Sequence, residues 1–307
     1  MSPLGFSGAD FDGNRQSLHF RIGVVPVTLE TAIRKLQQEY LSFYARYRVD
    51  SPENDTLVLR IKKTPLWQLG RPRYEITGKD NDAGLFPARE RELLAHLEWA
   101  INWQIALYFK KYLQIHASAV QVNGKTILFP GSPGSGKTTL CAGLVIKRAR
   151  YFSDEFALLN PTTLQAYPYP KALCIKEASI KVLEEFCPHV KFDRRWIKKT
   201  KGVVAFLDPW EIYDNPIAQP AQVDFVIFPT YSGNTAPELS PLSKAEMVFN
   251  LNKHALNFLD FREQGIDTLA DIASSASGFR LQVGNLEHTC ELILKLVGND
   301  IQKTSAT

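Results

Sequence analysis

Residues 129–140 read FPGSPGSGKTTL. Within them Gly131, Ser132, Pro133, Gly134, Ser135, Gly136, Lys137 and Thr138 fit the pattern G-x-x-x-x-G-K-[ST] completely. The chemistry such a loop supports is the holding of phosphate. Its backbone N–H groups turn inward around an anion, and the free N–H groups of a helix starting at Lys137 add to that field. Lys137 reaches the β- and γ-phosphates, and the Thr138 hydroxyl is placed to ligate Mg²⁺. The plainer reading is a glycine-rich turn that happens to contain a lysine. The placement after an apolar strand and before a helix favours nucleotide binding. No base-reading motif separates ATP from GTP.

Asp154-Glu155 follows Lys137 by seventeen residues. A helix of 10–12 residues carries the chain ~15–18 Å from the phosphates. A tight turn and four strand residues return it by ~13 Å. The two acids then arrive near the γ-phosphate, both reaching it only if the strand ends there. One would coordinate Mg²⁺ and the other would accept the proton of an attacking hydroxyl; a solvated strand end or a helix cap is the structural alternative. A third group comes from a turn. Asn123-Gly124 is a strong two-residue hairpin signal, and pairing Val122 with Lys125 sets His116 opposite Gly131. An imidazole there could bond a phosphate oxygen or tune the carboxylate base. A neutral histidine making a structural hydrogen bond is the alternative.

The elements that must hold these groups are strands alternating with helices from residue 113 onward. Strands are expected at 115–122, 125–131, 151–159, 203–207, 224–228 and 279–284, with helices at 137–149, 179–187, 243–259, 267–276 and 286–298. The 123–124 hairpin makes the sheet mixed rather than purely parallel. Ahead of this, strands at 19–29, 56–63 and 73–78 and helices at 31–47 and 88–112 predict a small α+β domain, with residues 1–15 frayed. Trp67, Trp99 and Trp103 read there as core. The expected division is 1–98 and 99–307, an α/β domain preceded by a small α+β one.

Composition narrows the class. Hydrophobic residues make up 45% and charged residues 22% of 307, which predicts a sizeable globular core. The net charge of +4 with no dense basic tract argues against nucleic acid; RRWIKKTK at 194–201 reads as a solvated segment. Cys141, Cys174, Cys187 and Cys290 form no CxxC pair, so they read as buried thiols of a reducing compartment. No apolar stretch reaches ~20 residues and no secretory leader is visible. A cytoplasmic protein without a membrane span is expected.

IHASAV, GSPGSGKTT and SDEFALL together resemble the C-terminal kinase domain of HPr kinase/phosphorylase, and more closely the group called HprK-related kinase A. The resemblance runs from about Trp99 to the end. It includes KEASI (176–180), TKG (200–202), VIFP (226–229) and LSKAEM (242–247). It implies a P-loop kinase fold of the HPr kinase type, related to phosphoenolpyruvate carboxykinase. It also implies ATP phosphates on Gly131–Thr139, the last position adding Thr139, and Mg²⁺ at Thr138. Asp154 becomes the general base toward a seryl hydroxyl, Glu155 a second acid near the metal, and His116 the loop-side histidine. Glu177 is aligned with a further family acid at the metal. A homo-oligomer is implied as well. This chain has Asp-Glu where HPr kinases have Asp-Asp, and LCIKEASI (173–180) where they carry the phosphorolysis segment, so phosphorolysis and HPr as the acceptor are not carried over.

The expected activity is ATP- and Mg²⁺-dependent transfer to a hydroxyl of a protein, peptide or small metabolite, with 200–202 as a lid over the acceptor. The alternative is a nucleotide-sensing partner with little or no catalysis. A mechanical ATPase is disfavoured because the acids follow the loop too soon and no arginine finger stands out.

Overall fold

The computed structural model describes residues 16–64, 73–79, 88–198, 201–233 and 235–305, with side chains through residue 300. Trp67, Thr200 and residues 1–15, on which expectations were placed, lie outside them. The chain opens with β1 (Gln16–Ile22) and β2 (Val25–Thr31). The expected single strand over 19–29 is thus a hairpin. Ile22 pairs with Val25, and Gly23 supplies the positive φ of +63° that the reversal needs. No polar turn residue marks it: Ile22 and Val25 are core, and Val24 packs half-buried against them. Helix α1 (Arg34–Tyr44) buries Leu36, Gln37, Tyr40, Phe43 and Tyr44, one face of a 3.6-residue period. β3 (Arg48–Val49), β4 (Leu57–Thr64) and β5 (Arg73–Thr77) complete a sheet in the order β3-β1-β2-β4-β5. Helix α2 (Leu93–Tyr108) is shorter than the 88–112 expected, being preceded by a 3₁₀ turn at Glu90–Glu92. It runs without a break through residues 98 and 99.

The remainder is β6 (Leu113–Ile115), β7 (Ala117–Val122), β8 (Lys125–Pro130), α3 (Lys137–Ile146), β9 (Arg150–Ser153), β10 (Ala157–Leu159), β11 (Gln165–Tyr167) and β12 (Leu173–Lys176). There follow α4 (Glu177–Phe186), β13 (Trp196–Lys198), β14 (Gly202–Leu207), β15 (Ala221–Tyr231), β16 (Glu238–Pro241), α5 (Lys244–Asn252), α6 (Phe258–Ser275), β17 (Ser277–Val283) and α7 (Leu286–Ser305). The helix expected over 243–259 is interrupted, with α5 ending at Asn252 and α6 starting at Phe258. Asn257 causes the break: its amide side chain accepts from Gln114 N–H and donates to the Tyr112 carbonyl, tying the chain back to β6. The strand expected over 151–159 is likewise two, β9 and β10, parted at Asp154-Glu155.

The large sheet is mixed, in the order β16-β17-β15-β8-β7-β9, with β8, β15 and β17 mutually parallel and the rest antiparallel; β6-β10-β11 joins at the start of β15. Alternation along β8 decides its covers. Ile127 and Phe129 face Leu140 and Leu144 of α3 and Cys290 and Ile293 of α7. Leu128 faces Met247 and Leu251 of α5 and Leu269 and Ile272 of α6. Burial on both faces is why β8 reads as a continuous apolar run. Each such fully buried side chain contributes about 1.5–3 kcal/mol. A three-stranded sheet, β12-β14-β13, packs beside α4.

Candidate active site

The hairpin between β7 and β8 sets the register on which the site depends. Asn123 and Gly124 both have positive φ, 49° and 81°, as a twist-matched two-residue turn requires. Pairing runs from Val122↔Lys125 to Ala117↔Pro130. One step further, Gly131 N–H donates to the His116 carbonyl at 3.4 Å, so His116 stands opposite the first glycine of the loop. Gly134 and Gly136, at φ +91° and +93°, turn the loop onto α3. The N–H groups of the first turn of α3 have no acceptor within the helix. The loop is open at Gly134, where an added methyl would touch nothing within 4 Å.

Lys137 is only 6% exposed. Its Nζ donates to the carbonyls of Gly131, at 2.6 Å, and Ser132, at 3.1 Å. Burial pushes its ammonium below the ordinary lysine range, against the pull of Asp154 and Glu155. Nearby, Ser135 Oγ is buried without a hydrogen-bond partner. Thr139 Oγ1 donates to Ser179 Oγ at 2.7 Å, which ties the loop helix to α4.

β9 lies against β7, pairing Ala119 with Ser153, and delivers Asp154 beside Ser118. The Ser118 hydroxyl donates to Asp154 Oδ1 at 2.6 Å. Asp154 is 7% exposed. Burial first, and the Glu155 charge second, raise its carboxyl to about 7; hydrogen bonds from Ser118 and Thr138 and the Lys137 charge oppose that. Thr138 and Lys137 are thus the phosphate-loop groups that act on the acid. Glu155 behaves oppositely. Burial works against its charge, but the nearby His116 and the charges of Lys201 and Lys198 outweigh that and hold it well below the usual carboxylate range. His116 Nε2 lies 3.7 Å from Glu155 Oε2, and Lys201 Nζ lies 4.0 Å from Oε1. The two acids thus differ in kind: one is poised near neutrality and the other is firmly ionised.

Three participants, Ser118, Lys198 and His254, were not legible in the sequence, and buried Lys198 corrects the reading of 194–201 as a solvated segment; Lys201 belongs to the 200–202 stretch expected as a lid. Ser118 is visible only as the β7 residue facing Phe129 once the register is drawn. Lys198 is 5% exposed, with its ammonium pushed down by burial, and it shares a cavity of ≈ 20 Å³ with Asp154, Glu155, Cys174 and Lys171. That is room for one or two waters. Lys201 comes from the turn between β13 and β14. His254, in the break after α5, takes the His116 N–H on its carbonyl at 2.8 Å, and burial lowers its imidazole, helped by the His116 and Lys137 charges. Three ammonium groups, Lys137, Lys198 and Lys201, therefore surround two carboxylates, a surplus suited to a polyanion.

Glu177 opens α4, two residues ahead of the Ser179 that bonds Thr139. It is exposed, and no group of three His, Cys, Asp or Glu side chains able to hold a metal comes together among the described residues. The donors that do converge, the Thr138 hydroxyl and the carboxylates, are hard oxygens. They fit Mg²⁺, which keeps most of its shell as water and phosphate oxygen and takes one or two protein ligands.

The described helices include none long and apolar enough to cross a membrane. No family model and no curated protein matches the chain. Among solved structures, the HPr(Ser) kinase/phosphatase from Coxiella burnetii aligns with 63% of this chain and 93% of its own, at 13% identity and a TM-score of 0.34. A likeness of that size leaves the function to be read from the site itself.

Proposed function

We propose that this chain is an ATP- and Mg²⁺-dependent kinase that transfers the γ-phosphate to a hydroxyl, borne by a seryl side chain of a protein or peptide or by a small metabolite. One observation carries the reading: a buried carboxylate, Asp154, held by Ser118 at 2.6 Å, is acted on by Lys137 and Thr138 of a complete phosphate loop and raised to about 7. A carboxylate at that value both exists in its basic form at neutral pH and gains from taking a proton.

The loop amides and Lys137 would bind the β- and γ-phosphates, the Lys137 ammonium leaving the Gly131 and Ser132 carbonyls on which it now rests. Thr138 and Glu155 would hold Mg²⁺, which neutralises charge on the bridging phosphates when bound. The acceptor oxygen attacks the γ-phosphorus while its proton passes to Asp154. The bond from that phosphorus to the β-bridging oxygen breaks, and ADP departs with the electron pair. Ser118 keeps Asp154 Oδ1 oriented, and His116 keeps Glu155 ionised. Lys198 and Lys201 would balance charge on the phosphoryl group in flight.

The test uses labelled ATP, cell extract and the purified protein. Wild type should label an acceptor. Asp154→Asn should lower labelling by about 100-fold or more, the usual worth of a general base, while ATP affinity stays within about threefold, since the loop is intact. Equal labelling by the two proteins leaves a nucleotide sensor.

A further inference from the structure

The acids reach the phosphate loop from the end of β9, which pairs with β7 on one side of β8. On the other side lies β15, and beyond it β17, both parallel to β8. A nucleotide whose terminal phosphate points at Asp154 must send its nucleoside the opposite way, past the ends of β15 and β17. That edge is built up rather than open. Val226 pairs with Leu128, so continuing the register sets Pro130, the end of β8, beside Phe228. β15 then runs on to Tyr231, about 10 Å further at strand rise, and its last residue pairs with Val283, the end of β17.

Tyr231 closes this wall. Its side chain is 57% exposed, against a largely buried strand. A methyl built on Gly136 would lie 3.8 Å from Tyr231 Cβ and 3.5 Å from Val283 Cγ1, so the tyrosine leaves the strand on the face from which α3 departs. It takes part in no ring contact and its hydroxyl makes no hydrogen bond among the described residues. The backbone beneath it is nonetheless fixed: Ser232 N–H donates to the Val283 carbonyl at 3.2 Å, and Ser232 Oγ lies 3.0 Å from Thr235 Oγ1. A large flat side chain on a rigid strand end, exposed beside a phosphate loop and bonded to none of the described residues, has the form of a stacking platform.

We propose that Tyr231 is the platform on which the purine base of the bound nucleotide stacks. This rests on the phosphate-loop reading and deepens it. Stacking is blind to the base edge, so ATP and GTP should bind alike at this residue.

Titration calorimetry in Mg²⁺, with ATP and with inorganic tripolyphosphate as separate ligands, tests the assignment. Tyr231→Ala, and Tyr231→Leu, which keeps apolar bulk without a ring, should each weaken ATP by about tenfold, the scale of one base stacked on an aromatic. Both should leave tripolyphosphate within about twofold, and Tyr231→Phe should leave ATP within about twofold. Unchanged ATP affinity in Tyr231→Ala overturns the proposal. So does equal weakening of ATP and tripolyphosphate, which would make the tyrosine a support of the loop. Wild-type protein that binds neither ligand overturns the phosphate-loop reading itself, and with it this one.

Discussion

At the residue scale, the functional content is the contrast between two adjacent carboxylates. Asp154 and Glu155 have nearly the same intrinsic acidity. Their surroundings push them apart, because Asp154 meets burial and a neighbouring negative charge, whereas Glu155 meets His116, Lys201 and Lys198. The contrast gives two opposed predictions, read by carbon NMR of carboxyl-labelled aspartate in the unliganded protein. Wild-type Asp154 should titrate near 7. Ser118→Ala removes a donor that favours the charged form, so the midpoint should move up. Glu155→Gln removes a like charge, so it should move down. Shifts in the same direction would refute the assignment. The sign for stability follows. A carboxyl raised on folding holds its proton longer than in the unfolded chain, so stability from Asp154 is greatest below its unfolded value and is lost as pH rises toward 7. Legibility at this scale divides by distance along the chain. Lys137, Thr138 and Asp154 are readable because a loop, one helix and one strand connect them. Lys198 and His254 are not, because tertiary pairing alone brings β13 and the break after α5 to the same place.

At the element scale, turns position the chemistry, and their legibility depends on how a turn is made. Asn123-Gly124 announces itself because both positions need positive φ, and the whole register to His116 follows from it. The turn at Gly23 does the same work hidden in an apolar run, and the break at Asn257 rests on hydrogen bonds to a segment more than a hundred residues away. The phosphate loop is a turn of the first kind, and this allows a controlled comparison. Gly124 and Gly136 have similar positive φ, and an added methyl meets nothing at Gly124 and only ordinary contact at Gly136. Alanine at either should therefore carry chiefly the left-handed backbone cost, about 1–2 kcal/mol, seen as similar shifts in the urea midpoint. Only Gly136→Ala should also weaken ATP in calorimetric titration, because it alone re-aims the amides at the start of α3. Loss of ATP binding in Gly124→Ala would mean that the hairpin, and not the loop, limits the site.

At the scale of the whole molecule, the first hundred residues share one interior with the three-stranded sheet and with the segment that follows Asp154-Glu155. The cluster that holds Phe20, Leu36 and Tyr40 also holds Phe156, Tyr169, Trp196 and Phe206, and α2 passes through it. The polar centre of that interior is Lys171. Its ammonium, 8% exposed, contacts Glu98 Oε2 at 2.6 Å and donates to Asn102 Oδ1 at 2.8 Å and the Glu98 carbonyl at 3.0 Å. The neighbouring backbone takes the Tyr151 hydroxyl on the Lys171 carbonyl and gives Ala172 N–H to the Tyr44 hydroxyl. Four segments, α1, α2, β9 and the approach to β12, thus meet around one ion pair that borders the cavity behind Asp154. Removing one member of a buried pair strands the other, at a cost of about 3–5 kcal/mol. Lys171→Met should therefore lower stability by that amount. Because this interior draws on both halves of the chain, calorimetry should show a single unfolding transition that moves as a unit. Adding Glu98→Gln should recover part of the loss, since the stranded charge is gone while the helix keeps its shape. Two transitions, with Lys171→Met shifting only one, would show that the N-terminal sheet folds apart from the sheet that carries the phosphate loop and that the ion pair joins two separately stable bodies.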